Sequence, residues 1–148
     1  MAYAFSHPAN IPQDKLGFIS AFYRVSDSRD VDAYLDFLSS DVDFVMGINA
    51  VKGEAAVRKI RETMWGGVET RLHKPEKVYL GDDGEVMLHG TVSYGLKNGD
   101  RVENVGWAAR MVFVQGGTEI KMSRYQVWLD GAPLANALRK QSEQSEQS

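Results

Sequence analysis

Near the start of the chain, apolar residues recur every three or four positions, at Leu16, Ile19, Phe22 and Tyr23. That spacing predicts a helix over 13–26 with these side chains on its buried face. Ser28 or Asp30 can cap a second helix whose inner stripe is Val31, Tyr34, Leu35 and Leu38. The stretch DVDFVMG then alternates, with Val42, Phe44 and Met46 set against Asp43 and Val45, and reads as a short strand. A third helix opens near Gly53 with Val57, Ile60 and Met64 inward, and Gly66-Gly67 stops it. From Thr70 onward the pattern predicts four long strands, over 70–80, 85–97, 101–115 and 120–130. Asp82-Asp83-Gly84, Asn98-Gly99 and Gly116-Gly117 separate them, and Asn-Gly is a strong hairpin signal. Pro75 inside the first of these strands predicts an edge or a bulge, because proline cannot donate to the ladder. A short helix over 133–140 closes the domain. The final QSEQSEQS has nothing apolar to bury and reads as a disordered polar tail over 141–148.

Helices grouped ahead of an antiparallel meander specify an α+β fold. Three helices cannot cover both faces of a twisted sheet of this size. One face is expected to wrap the helices as a cone, and the other to meet a second subunit, giving a homodimer. The 148 residues suit a single domain over 13–140, preceded by an N-terminal extension over 1–12. The chain has no cysteine, which removes disulfides, thiolate catalysis and cysteine-bound metal. Its formal charge of −3 argues against nucleic acid as a partner and offers no basic patch to a membrane. The first residues, MAYAFSHPANIPQDK, lack the charged start and apolar run of a signal peptide. No stretch reaches the roughly 18 apolar residues of a spanning helix. Together these set the expectation of a cytoplasmic protein.

The order of elements resembles the SnoaL-like branch of the nuclear transport factor 2-like fold. The residues that carry the resemblance are DVDAYLDFLSSDVDF, VKGEAAVRKI, the GTVSYGLKNG hairpin and the terminal YQVWLDGAPL. They span roughly residues 13 to 138. The resemblance implies a curved sheet around the N-terminal helices, an apolar pocket inside it, no cofactor, and frequent dimers. It does not fix a reaction, since one fold hosts many chemistries. Where ketosteroid isomerase carries its Tyr, Asp and base Asp, this chain has Phe22, Ala109 and Met46, none of which moves a proton. The places used by limonene epoxide hydrolase are held by Val127, His89, Thr91, Phe44 and Met46, so that set is missing too. Scytalone dehydratase uses histidines on the sheet, and His73 lies on a matching strand.

Candidate chemistry therefore rests on few groups. Metal ligation finds no close set of histidines and carboxylates, and no phosphate loop or Ser-His-Asp order can be argued. Of three histidines, His7 lies in the N-terminal extension. Along 85–97, Val86, Leu88, Val92 and Tyr94 form the more apolar face, and Met87, His89, Thr91 and Ser93 the other. Burial of the apolar face would leave His89 in solvent, whereas the resemblance turns the His89 face into the pocket. Following the resemblance, His89 would be the acid-base group, His73 and Tyr125 would assist, and Thr91 would orient the substrate. The pocket would be Phe22, Phe44, Met46, Trp65, Trp107, Ala109, Met111 and Val127. The implied function is a cofactor-independent isomerase, cyclase or dehydratase for a hydrophobic polyketide- or terpenoid-like metabolite. The rival is a binding or association module with no chemistry. The two are separated by whether His73 and His89 face one shared cavity.

Overall fold

A computed structural model describes residues 3–147 of the chain. Four helices and six strands follow in the order α1 (Gln13–Ser26), α2 (Val31–Leu35), β1 (Leu38–Met46), β2 (Asn49–Lys52), α3 (Glu54–Thr63), β3 (Val68–Leu80), β4 (Val86–Leu96), β5 (Arg101–Gly116), β6 (Glu119–Leu129) and α4 (Ala132–Gln147). The strands form one curved, open sheet in the order β2-β1-β6-β5-β4-β3. The meander β3 to β6 is antiparallel as the turn residues require. The sheet is nevertheless mixed, because β1 lies parallel to β6 and β2 folds back on β1. This is the α+β architecture that the element order predicts.

The inner face of the sheet and the helices share one core. Leu16, Ile19, Phe22 and Tyr23 of α1 are buried, as their spacing predicts, against Phe44, Leu88, Ala109 and Met111 of the sheet. Asp30 caps α2 by accepting a hydrogen bond from the Ala33 amide at 3.0 Å. α2 ends at Leu35, short of the stripe that runs to Leu38, because Leu38 already pairs with Met122 as the first residue of β1.

Pro75 sits at a register shift on the edge strand β3. Its partner across the ladder is Gly90, where an added Cβ would lie 2.2 Å from the Lys74 carbonyl oxygen. Only a residue without a side chain lets the two strands approach this closely. The sheet thus creases at the Pro75–Gly90 pair.

Both chain ends are held against the domain, the C-terminal one contrary to expectation. The N-terminal extension is docked on the sheet: the Ser6 amide donates to Glu76 O at 2.9 Å and the Val78 amide donates to Ser6 O at 2.8 Å. Phe5 and Ile11 bury their side chains beside these bonds. Those two apolar residues anchor a segment whose other residues are polar or small. Helix α4 continues through 141–147, where the composition predicts a disordered tail. Gln141 donates to Gly67 O at 3.0 Å and accepts from the Asn98 amide at 2.7 Å, and Gln144 accepts from the Asn98 side chain. The polar residues of the repeat are held by partners rather than by apolar burial. Residues 1, 2 and 148 of the expected extension and tail lie outside the described residues.

Candidate active site

A cavity of about 300 Å³ opens between the inner face of the sheet, helix α3 and helix α4. Val92, Trp107, Val127, Leu134 and Leu138 make its apolar walls, and His73, Tyr125, Tyr34, Arg61 and Arg71 bring polar atoms to it. A different cavity, of about 430 Å³, lies against α1 and the β5–β6 turn and is lined by Asp14, Asp36, Glu119 and apolar neighbours. It has no imidazole, phenol or cationic group. Apolar walls with a few convergent polar groups mark the first cavity as the candidate site.

Asp27 organises that site. It follows α1 at the helix C-terminus, where a carboxylate meets the negative end of the helix dipole and needs donors from elsewhere. His73 on β3 supplies them. Its backbone amide donates to Asp27 at 3.0 Å, and its ring Nδ1 lies 2.5 Å from the same carboxylate. An ionised carboxylate can only accept, so the shared proton belongs to Nδ1. Nε2, on the other side of the ring, has no hydrogen-bond partner among the described residues. The two side chains keep only 19% and 18% of their surface exposed, so the pair is screened yet reachable from the cavity.

Two phenols lie beside this pair. Tyr23 on α1 and Tyr125 on β6 share a hydrogen bond of 3.0 Å between their hydroxyls. Only Tyr125 lines the cavity, so Tyr23 is the natural donor and the Tyr125 proton is free for a ligand. Burial pushes both hydroxyls well above the ordinary phenol range, and it does the same to Tyr34. All three stay protonated donors at neutral pH. The Tyr23, His73 and Trp107 rings form a triangle, with Tyr23 5.3 Å from His73 and 5.0 Å from Trp107 and those two 5.8 Å apart, which holds the imidazole plane. Tyr23→Phe removes the partner of a buried hydroxyl. It is expected to lower stability by about 1–3 kcal/mol, read from urea denaturation.

Profile comparison matches residues 19–120 to the SnoaL-like domain. The chain belongs to the SnoaL-like domain family. No curated protein matches it in sequence. Solved structures share the fold at low identity. A candidate aromatic ring hydroxylase from Novosphingobium aromaticivorans is 17% identical over 85% of this chain and 97% of its own, with a TM-score of 0.72. A candidate polyketide cyclase from Xanthomonas campestris pv. campestris is 20% identical over 80% and 91%, with a TM-score of 0.68. ActVI-ORFA from Streptomyces coelicolor is 17% identical over 83% and 97%, with a TM-score of 0.69. Among the described residues no helix is long and apolar enough to cross a membrane.

This SnoaL-like domain divides the expected site residues between its two faces. His73 and Tyr125 meet at the cavity, with Met46, Trp107 and Val127 in its wall. His89 and Thr91 do not join them. They lie on the outer face of the sheet, in a shallow depression with Trp128 and Glu76. There the His89 ring is 3.7 Å from the Glu76 carboxylate, and both side chains are largely exposed. The apolar side of β4, with Val86, Leu88 and Val92, faces the core instead, so burial of apolar area decides the orientation. His73 and His89 therefore do not share a cavity, and a mechanism built on His89 with Thr91 is withdrawn.

Phe22, Phe44, Ala109 and Met111 are fully buried core residues rather than pocket wall. Phe22 and Phe44 instead hold the Tyr125 ring from behind, at centroid distances of 5.0 and 5.8 Å. Trp65 lies outside the lining and packs under the guanidinium of Arg71 at 5.0 Å. His7 stays exposed at the surface, its ring 2.9 Å from the Pro8 carbonyl. Sequence reasoning missed Asp27, Tyr23, Arg61 and Arg71. Each had a signal. Asp27 is a carboxylate at the wrong end of a helix, and Tyr23 and Arg61 fall on the inward stripes of α1 and α3. Arg71 alternates in phase with His73 while apolar Leu72 points out.

Proposed function

We propose that this chain is a cofactor-independent isomerase or cyclase acting on a hydrophobic, polyketide-like carbonyl compound. The Asp27–His73 pair facing the cavity is the observation that carries the reading. His73 Nε2 would take a proton from a carbon next to a substrate carbonyl. Asp27 would hold the ring in the required tautomer throughout. The negative charge that moves to the carbonyl oxygen would be met by the Tyr125 hydroxyl, itself supported by Tyr23. The enolate then has two outcomes. It can recover the same proton at another carbon, which is isomerisation. It can also attack a second carbonyl of the same molecule, which takes up the proton and closes a ring. Both balance with no external reagent, and His73 ends in its starting state. The apolar walls would keep water from the enolate and fold the substrate near its reactive shape.

The family assignment and the candidate polyketide cyclase among the structural neighbours support the substrate class. The outer face of the sheet exposes Leu72, Tyr79, Met87 and Trp128, and we propose that a second copy covers it. The deciding experiment is mass-spectrometric profiling of metabolites in the source organism with and without the gene. A compound of the product's own mass is expected to accumulate when the gene is lost. One heavier by a water would mean dehydration instead. No change in any metabolite would overturn the enzyme reading and leave a binding module.

A further inference from the structure

Two guanidinium groups in the cavity wall form no ion pair among the described residues. Arg61 on α3 keeps 3% of its surface exposed and Arg71 on β3 keeps 8%. Arg61 donates to the carbonyl oxygens of Ser26 and Ser28, at 2.9 and 3.2 Å, and reaches the Met64 sulfur. Arg71 donates to the Met64 carbonyl. All of these partners are neutral. Among the described residues, the Nε atoms of both side chains are buried without a hydrogen-bond partner. Among the described residues no carboxylate lies within ion-pair distance of either, whereas the more exposed Arg58, Arg101 and Arg110 each have one. The nearest acid in character, Asp27, is already engaged by the His73 amide and ring.

Burial is the leading cause that pulls both guanidinium groups below their ordinary value; the like charge of Arg61 lowers Arg71 further, and the Asp27 carboxylate offsets part of the fall in both. Arginine nevertheless stays cationic at neutral pH. Aromatic faces soften the cost without neutralising it: Arg61 lies 4.2 Å from the Tyr34 ring centroid, and Arg71 lies between Trp65 and Tyr94. Two buried positive charges with one carboxylate near them, itself engaged by His73, are a costly feature in a protein that needs only an apolar pocket. A bound anion would remove that cost.

We infer that the cavity takes a ligand carrying a carboxylate, seated against Arg71 and Arg61, with its apolar body under Leu134 and Leu138. The inference deepens the proposed function, since it names the substrate class for the same site, but it needs only binding and no turnover. Arg71 and His73 lie two residues apart on one face of β3, so the carboxylate site and the histidine open on the same cavity.

The test uses the full chain and calorimetric titration with benzoate, 2-naphthoate and anthracene-2-carboxylate, each beside its neutral primary amide. At least one acid is expected to bind tenfold or more tighter than its amide, as charge-assisted hydrogen bonds to a buried guanidinium require. Arg71→Met should lower that ratio several-fold, with Arg61 supplying what remains of the preference for the acid. A merely structural arginine would not produce that selective loss. The wild-type ratio needs no variant, so a poorly folded Arg71→Met protein does not blunt the test. Equal binding of acid and amide would overturn the carboxylate inference and leave the proposed function standing. Failure of every acid and amide to bind would overturn both. Tight acid binding together with an unchanged metabolite profile would keep the inference and remove the catalytic reading.

Discussion

His73→Ala is expected to reduce turnover by about 10²–10⁴-fold, the usual contribution of a positioned general base, while the domain stays folded with a modestly lower melting temperature. The ring's bond to Asp27 and its packing on Tyr23 are lost, but Asp27 keeps the His73 backbone amide as a donor. His73→Gln fills the same space with a group that is not a base, and it should be equally inactive. Asp27→Asn should also lose most activity, because an amide can donate to Nδ1 and hold the ring in the wrong tautomer. The measurement is conversion of the accumulating metabolite by purified variants, with thermal denaturation alongside. Turnover surviving in His73→Ala would remove the mechanism. A large drop in melting temperature would mark the imidazole as structural. His89→Ala, on the outer face, should change neither.

Alkaline pH is expected to unfold this domain abruptly. Tyr23, Tyr34 and Tyr125 are fully buried phenols whose ionisation is pushed upward chiefly by loss of solvent. A raised value in the folded state means that its stabilisation is complete below the unfolded value, about pH 10, and is lost as pH rises beyond it. Each such phenol contributes a slope of about 1.4 kcal/mol per pH unit, so three together give about 4. Against a total stability of about 5–15 kcal/mol for a small domain, roughly two pH units are enough. Phenolate absorbance from these rings should appear in one step, together with loss of circular dichroism, near pH 11–12. Gradual ionisation in a protein that keeps its ellipticity would show that the three hydroxyls are open to solvent.

Most of the fold is legible in the sequence because it follows from periodicity and turn chemistry. The inward stripe of α1, the four long strands and the Asn98-Gly99 hairpin all appear where those signals place them. Strand β2 does not, since Asn49–Lys52 has four residues and no alternation. The parallel pairing of β1 with β6 is also invisible locally, because it joins residues about eighty positions apart. The docked tail depends on glutamine side chains meeting backbone groups, which composition cannot register.

The site was legible only in part. His73 and Tyr125 stand out as titratable groups on strands, but the resemblance turns β4 the wrong way. The apolar pattern of Val86, Leu88 and Val92 already pointed His89 outward, and burial of that face outweighs the resemblance. The residues that complete the site break local rules: a carboxylate at a helix C-terminus, and arginines at inward positions. Such breaks are where a functional demand overrides folding preference.

The hairpin at Asn98-Gly99 has a practical meaning. It is an exposed turn, and it divides the chain between strands β4 and β5. Asp27 and His73 lie before it, while Trp107, Tyr125 and Val127 lie after it. A polypeptide cut there carries the proposed base on one piece and the proposed oxyanion donor on the other. Co-expressed as halves, the domain becomes a split reporter, in which return of the proposed activity measures the reunion of two strands.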